Sequence, residues 1–418
     1  MSATIAGASW LNDPQLQKLL AVLNADDGEA RIAGGAVRNT LLGEPVADVD
    51  IATTNLPDET VRRAEAAGFR TAPTGAEHGT ITVIAGGKPF EVTTLRADVE
   101  TDGRRAKVVF GNDWTADAER RDFTINALYA LANGSVIDLV GGLTDLESRT
   151  LRFIGDAETR IREDYLRILR FFRFFAWYGK GRPDAEGLKA CARLKDGIAR
   201  LSAERVWSEL KRLLGAPDPS RALLWMRQAG VLTAALPESE KWGIDAIHAL
   251  VRAEHDLGWK ADPLLRLESI VPPDAARMKT LGDRLRLANV ETDRLVQWAA
   301  TAKVEPVATE GELAKRLYRG NVEALADRLR LDLASARGRA EQDDKALIEA
   351  GGYFRLLSFS DKWQKPDFPL RGGDLAPLGV EGAALGSLLK AVEREWVDSG
   401  FTLGRDTLLK RAAERLKA

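Results

Sequence analysis

The chain has 418 residues, 45% of them hydrophobic and 29% charged, with a net charge of −2 at pH 7. This is length for roughly two to four domains of ordinary globular composition, and no apolar run approaches the ~20 residues that a membrane-spanning helix needs. The one cysteine, Cys191, excludes an intramolecular disulfide, and with only three histidines beside it a zinc site built from Cys and His is not expected. Residues 1–10 carry no basic stretch followed by an apolar one, so no signal peptide is expected, and a lone cysteine suits a reducing cytoplasm. Near-neutral charge leaves any nucleic-acid binding to local basic surfaces.

In chain order, apolar spacing predicts a helix over 16–23 and a strand over 30–33 that runs into Gly34-Gly35-Ala36-Val37-Arg38. Such glycines let backbone N–H groups approach a phosphate, and Arg38 can pair with it. A strand is expected over 46–52. Its alternation puts Asp48 and Asp50 on one face with Val46, and Val49 and Ile51 on the other, toward a core. Two carboxylates about 7 Å apart along a strand suit a pair of divalent ions, as in-line nucleotidyl transfer needs. A helix over 58–67, a strand over 68–72 and a hairpin of 79–84 with 89–95 around Gly86-Gly87-Lys88 follow. Glu91 can stand beside the aspartates, as a metal ligand or as the base near an attacking 3′ hydroxyl. A helix over 121–131 puts Asp122 and Asn126 on one face, with Arg121 and Asn126 placed to hold a triphosphate and ribose, and a last strand is expected over 135–139. Residues 1–150 therefore read as an α+β unit with a mainly antiparallel sheet. A phosphate cradle followed by a metal-binding strand reads as a nucleotidyltransferase.

After residue 150 nearly everything has helical period. Helices are expected over 163–178, 204–214, 219–229, 244–257, 274–287, 291–301, 311–318, 322–340, 343–350, 383–399 and 407–416, with joints at Val271-Pro272-Pro273 and Gly351-Gly352. In the helix over 163–178, Ile168, Leu169, Phe171, Phe172 and Phe175 fill one sector of roughly 160°. Arg167, Arg170 and Arg173 lie opposite, in a sector shared with Leu166 and Phe174, which implies an anionic partner or several buried carboxylates. Asp164 and Arg167 are three apart and so are expected to be neighbours. A carboxylate accepting from an exocyclic amine, beside a guanidinium donating to a ring nitrogen, suits cytosine and adenine and mismatches uracil and guanine. His255-Asp256 invites comparison with HD-type phosphohydrolases, but that chemistry needs further His and Asp ligands and only His248 lies nearby. His78-Gly79-Thr80 reads as a turn and strand start.

Together these segments resemble the class II tRNA nucleotidyltransferases, with their bacterial poly(A) polymerase relatives, in the DNA polymerase β superfamily. The resemblance is close over 28–178 and weaker beyond. Gly34 to Arg38 is similar to the family's glycine-rich first motif, with Asn39 where an Asp is usual. Asp48 and Asp50 match its metal-binding carboxylates, and residues 119–128 its ribose and nucleotide motif. Asp138-Leu139-Val140-Gly141-Gly142 through Asp145-Leu146 resembles its hinge-like motif, and Glu163-Asp164-Tyr165-Leu166-Arg167 its amino-acid template for CTP and ATP. The resemblance implies a polymerase-β-like head over 1–150, then an all-helical neck over 151–215, body over 216–320 and tail over 321–418, in a seahorse-like arrangement. It implies Mg²⁺ on Asp48 and Asp50. It implies nucleotide binding by Gly34, Gly35, Arg38, Arg121, Asp122, Asn126, Asp164 and Arg167, supported by Arg170 and Arg173. The activity it implies is addition of C, C and A to the tRNA 3′ end without a nucleic-acid template.

Residues 96–104, with Asp98, Asp102 and Arg104, resemble the flexible loop that full CCA-adding members use for the final A, and their charges fit a mobile, solvated loop. Leu370-Arg371-Gly372-Gly373-Asp374-Leu375 through Gly379, Gly382 and Gly386 resembles the family's tail segment. Lys315, Arg316, Arg319, Lys410 and Arg411 are candidate tRNA contacts. The rival readings are a poly(A) polymerase, an enzyme adding only C or only A, and a non-catalytic tRNA-binding protein. Asp48 and Asp50 together speak against the last.

Overall fold

The computed structural model describes residues 3–75, 79–102, 105–240 and 243–416. His78, Gly103 and Arg104 lie outside the described residues. The chain divides into two compact units, Met1–Pro237 and Glu238–Ala418.

The first unit opens with α1 (Pro14–Leu23), β1 (Ala30–Ala33), α2 (Gly35–Leu42), β2 (Asp50–Thr53) and α3 (Pro57–Ala66). Then come β3 (Arg70–Gly75), β4 (Thr80–Ala85), β5 (Lys88–Thr94), β6 (Arg96–Asp102), β7 (Arg105–Phe110) and α4 (Trp114–Glu119). A single 3₁₀ turn, Thr124–Asn126, leads to β8 (Leu128–Ala130), β9 (Val136–Asp138) and α5 (Gly142–Glu147). Helices complete the unit: α6 (Ala157–Glu163), α7 (Leu166–Tyr178), α8 (Ala185–Leu194), α9 (Ala203–Leu214), α10 (Ser220–Gln228) and α11 (Val231–Ala235). Seven strands form one sheet in the order β3-β4-β5-β2-β1-β8-β9, and β6 and β7 form a separate hairpin. Only β2 against β5 is parallel among the described pairings, as the mainly antiparallel expectation requires.

The register of β1 on β2 decides where the chemistry sits. Ala33, the last residue of β1, lies opposite Asp50, the first of β2, and on the other side Asp50 lies opposite Glu91. The glycine turn after Ala33 and both acids therefore meet at one end of the sheet. On one flank Leu16, Leu19, Leu20 and Leu23 of α1 are fully buried. On the helical side Phe153 stacks on Phe171 with centroids 5.4 Å apart, and Phe123 sits 4.9 Å from Phe153 and 5.5 Å from Phe174.

Several elements differ from the sequence expectation. The strand expected over 46–52 starts only at Asp50, because β1 ends at Ala33 and offers no ladder partner before it. The helix expected over 121–131 is replaced by a turn, the 3₁₀ segment and β8. There the Thr124 N–H donates to Arg152 O and the Ile154 N–H to Asp122 O, so residues 122–124 hydrogen-bond to 152–154 instead. The helix expected over 163–178 breaks at Asp164, which is extended (φ −154°, ψ 107°) and accepts the Leu166 N–H on its own side chain. An aspartate that bonds the backbone ahead of it competes with helix continuation. Residues 96–102 pair as β6 with β7, with a register shift between Asp98 and Thr101, rather than run as an open loop. The expectation for the side chains of Asp98 and Asp102 lies outside what is described. Phe171, Phe172 and Phe175 are buried as expected, and so are Leu166 and Phe174 from the arginine sector.

The second unit is helical: α12 (Asp245–Leu257), α13 (Pro263–Ile270), α14 (Ala275–Leu285), α15 (Asn289–Ala300), α16 (Glu310–Arg319), α17 (Val322–Ala340), α18 (Asp344–Lys362), α19 (Gly372–Leu375), α20 (Gly382–Asp398) and α21 (Arg405–Arg415). Gly351-Gly352 is no joint but the middle of α18. A Cβ on Gly352 would lie 2.3 Å from Pro306 O, so the glycine serves close approach of a neighbouring segment. Among the described residues no single helix is long and apolar enough to cross a membrane.

Candidate active site

The site forms where β1 hands over to α2. Gly34 holds φ +63° and ψ −109°, a sparsely populated conformation that costs a side-chain-bearing residue about 1–3 kcal/mol, and a Cβ there would lie 3.2 Å from Asn126 O and 3.4 Å from Arg121 Nη1. Gly34 and Gly35, at the helix start whose first N–H groups are unpaired within α2, line a cleft of about 510 Å³. All ten residues expected to bind nucleotide line it: Gly34, Gly35, Arg38, Arg121, Asp122, Asn126, Asp164, Arg167, Arg170 and Arg173. Asp50 lines it as well. That volume falls within the range of nucleotide-sized pockets.

The carboxylates gather at one edge. Asp50 is open to solvent on one side. Its pKa is nonetheless raised above the ordinary aspartate value, first by lost hydration, then by Glu91, with Asp48 adding to the shift and Arg121 opposing it. Asp48 precedes β2, exposed, in a segment without regular structure, so the two aspartates do not share a strand face as expected. Among the described residues no three His, Cys, Asp or Glu side chains are already drawn into a metal-holding group. The donors present are all carboxylate oxygens, and Asp50 feels two neighbouring negative charges. That set fits a hard divalent cation.

The arginines form a ladder of ion pairs. Arg120 and Arg121 both reach the buried Asp117, at 2.5 and 3.1 Å, and Tyr129 Oη donates to the same carboxylate at 2.7 Å. Arg170 pairs with buried Asp122 at 2.5 Å and Arg173 with buried Glu209 at 2.5 Å. Burial pushes the Asp122 carboxyl up, but Arg170 and the Asn126 amide outweigh it and hold it below the usual range. The arginine sector of α7 thus meets buried carboxylates, one of the two partners its pattern implied.

Asp164 and Arg167 both face the cleft but do not pair with each other. Asp164 Oδ2 accepts from Arg205 Nη2 at 2.6 Å, while Arg167 Nη1 donates to Glu163 Oε2 and to Arg160 O, and its Nη2 to Arg120 O at 3.3 Å. The helix break at Asp164 separates them. Of the five N–H donors of a guanidinium, Arg167 keeps Nε–H and one on Nη2 for a ligand. Sequence reading missed Arg205 and gave no role to Arg120, and both also line the cleft. Arg120 lies inside the motif over 119–128, but nothing in sequence spacing joins Arg205 to Asp164, 41 residues earlier.

Arg38 differs from the rest. Its guanidinium donates to Asn39 Oδ1, Asn126 Oδ1 and Tyr178 Oη, all neutral, and among the described residues it has no carboxylate partner. Burial lowers its pKa, offset chiefly by Tyr178 and Asp122, yet an arginine stays charged.

Outside the cleft, Asp138 accepts the Val140, Gly142 and Leu143 N–H groups, and Asp145 accepts from Thr124 Oγ1 at 2.7 Å, so the hinge-like motif anchors the 3₁₀ turn beside Asn126. His255 is exposed and meets only Asp256, 3.4 Å away, which itself binds Arg337 at 2.8 Å. That geometry offers no phosphohydrolase centre. In the second unit Lys315, Arg316, Arg319 and Arg411 each reach protein oxygens.

Two family models match the chain: the poly A polymerase head domain over residues 30–152, and the probable RNA and SrmB-binding site of polymerase A over 182–242. The mitochondrial CCA tRNA nucleotidyltransferase 1 of Mus musculus is 34% identical over 94% of this chain and 88% of its own length. A CCA-adding enzyme of Streptococcus pneumoniae is 34% identical over 94% and 96%. The CCA-adding enzyme of Bacillus stearothermophilus in complex with CTP superposes with a TM-score of 0.73 at 25% identity, covering 97% of this chain and 98% of that one. The Thermotoga maritima CCA-adding enzyme complexed with tRNA shares the fold at a TM-score of 0.65 and 18% identity.

Proposed function

This chain belongs to the family of CCA-adding tRNA nucleotidyltransferases, and we propose that it adds C, C and A to the 3′ end of tRNA from CTP and ATP. One observation carries the reading. Asp50, Arg38 and the Asp164/Arg167 wall meet in a single cleft of nucleotide size.

Each part has a role in that chemistry. The Gly34 turn presents backbone N–H groups to the triphosphate, and Arg38 supplies a positive charge that has no direct carboxylate partner among the described residues. Arg121 and Asn126, fixed by Asp117 and Asp122, border the sugar and phosphates. Asp164 accepts from the exocyclic amine of cytosine or adenine, and Arg167 donates its two remaining N–H groups to the base. Arg170 and Arg173 keep that wall rigid through Asp122 and Glu209. Nucleotidyltransferases of this kind use divalent metal ions, and Mg²⁺ is the ion we assign to Asp48 and Asp50. Asp48 and Asp50 would hold divalent ions there, which would supply activation of the 3′ hydroxyl and stabilisation of charge on the α-phosphate and pyrophosphate. Glu91 stands beside Asp50 either as a further oxygen ligand or as the base for the 3′ hydroxyl.

We assign residues 1–150 to a catalytic head and 151–215 to a neck that reads the base, with 216–320 and 321–418 as body and tRNA-binding tail. The compartment we propose is the cytoplasm, where the buried, unpaired Cys191 stays reduced. The test is incorporation on a tRNA transcript ending at its discriminator base, with Mg²⁺, CTP and ATP, read at single-nucleotide resolution. Addition that stops after C, C and A is the expected result. A long A tail makes the chain a poly(A) polymerase, a stop at CC makes it a partial enzyme, and no addition overturns the reading.

A further inference from the structure

Tyr178 is the last residue of α7, and nothing in the nucleotide chemistry above uses it. Its hydroxyl accepts from Arg38 Nη2 at 2.8 Å, and its ring lies 4.1 Å from the Arg38 guanidinium carbon. The two residues are 140 apart in sequence and belong to different elements, α2 and α7. Tyr178 does not line the cleft, whereas Arg38 does.

Two facts make the contact more than packing. Arg38 is buried and among the described residues donates only to neutral acceptors, so oriented dipoles and the rings of Tyr178 and Phe174 hold this cation, with the Asp122 charge acting on it without a direct ion pair. A carboxylate in the place of Tyr178 would neutralise the guanidinium. A phenol fixes its direction and leaves its charge for an incoming anion. The other end of the same helix carries Arg167, placed at the base-reading wall. A helix of 13 residues thus touches the base site with its first turn and the phosphate site with its last.

We propose that Tyr178 is a positioning residue that aims the Arg38 guanidinium at the nucleotide triphosphate, so that α7 sets the distance between base and phosphate subsites. The proposal rests on the nucleotide reading of the cleft and adds a residue to it. Its role is exercised on the phosphate and not on the base.

The experiment is a double-mutant cycle on CTP binding and incorporation with Y178F, R38A and the pair. Y178F keeps the ring and removes the acceptor. It is expected to weaken CTP and ATP alike, about five- to tenfold in Kd and KM, with kcat, thermal midpoint and preference for CTP over UTP unchanged. Cytidine, which lacks the phosphates, is expected to bind Y178F and wild type equally. In the R38A background Y178F is expected to add nothing. The inference is overturned if Y178F binds CTP like wild type, if it weakens cytidine as much as CTP, or if its effect persists beside R38A. Wild-type incorporation of CTP alongside an unaltered Y178F overturns this inference alone, and a wild type that neither binds nor uses CTP overturns the nucleotide reading with it.

Discussion

Asp50 and Glu91 stand opposite one another in β2 and β5, the parallel pairing of the seven-stranded sheet, and the Glu91 charge raises the pKa of the Asp50 carboxyl. The two acids are held side by side at the end of the strand that meets the glycine turn. A divalent cation held there would offset the negative charge that Asp50 feels.

Asp48→Ala and Asp50→Ala are each expected to lower incorporation by more than about a hundredfold, because metal-assisted stabilisation of the reacting phosphate contributes several kcal/mol. Nucleotide binding is expected to survive in part, since Arg38 and the Gly34 turn remain. Equilibrium CTP binding beside single-turnover incorporation checks both halves, and undiminished turnover removes the metal assignment.

Arg167→Ala is expected to reduce the CTP-over-UTP ratio of kcat/KM by about tenfold or more, because the ring-nitrogen donor is lost and a site built to hydrogen-bond its substrate discriminates through that bond. Arg205→Ala is expected to act in the same direction but more weakly, by freeing the Asp164 carboxylate that Arg205 holds at 2.6 Å. Competition between labelled CTP and UTP reads both. Full selectivity in Arg167→Ala denies it the base-reading role.

Gly34→Ala is expected to fold, with a thermal midpoint within a few degrees of wild type, and to raise the nucleotide KM about tenfold. The added methyl meets Asn126 O at 3.2 Å and strains a backbone at φ +63°, ψ −109° by about 1–3 kcal/mol, and relief of that strain shifts the turn that lines the cleft. Since 1.4 kcal/mol is about tenfold, steady-state kinetics with CTP resolve it. An unchanged KM means the turn does not face the phosphates.

A pH effect is expected from the second unit. Asp332 has a buried Oδ2 without a hydrogen-bond partner among the described residues, and burial raises its pKa to about 6. The folded state therefore holds a proton that the unfolded state releases nearer pH 4. Folded stability falls as pH rises from about 4 to 6 and stays reduced above it, by at most about 3 kcal/mol. Asp332→Asn is expected to remove this slope and to raise the thermal midpoint at pH 7. Denaturation series from pH 4 to 8 check it, and a parallel pH dependence in both proteins contradicts it.

The sequence determined the parts whose signal is local. Gly34-Gly35 needs only a strand before it and a helix after it, and the apolar sector of α7 shows in its own period. It also singled out Asp50, Glu91 and ten further residues that line the cleft, though not Arg120 or Arg205, as the chemistry-bearing positions. Tertiary structure alone decided how those side chains meet. The β1–β2–β5 register set Asp50 beside Glu91 and ended the expected strand before Asp48. The turn at Asp122 replaced an expected helix because residues 152–154 supplied its hydrogen bonds. Asp164 left its helix for Arg205, and Arg38 found Tyr178 rather than a carboxylate. Periodicity reports which face a residue occupies. Which partner completes a hydrogen bond across 41 or 140 residues depends on how helices and strands pack, and no local pattern encodes it.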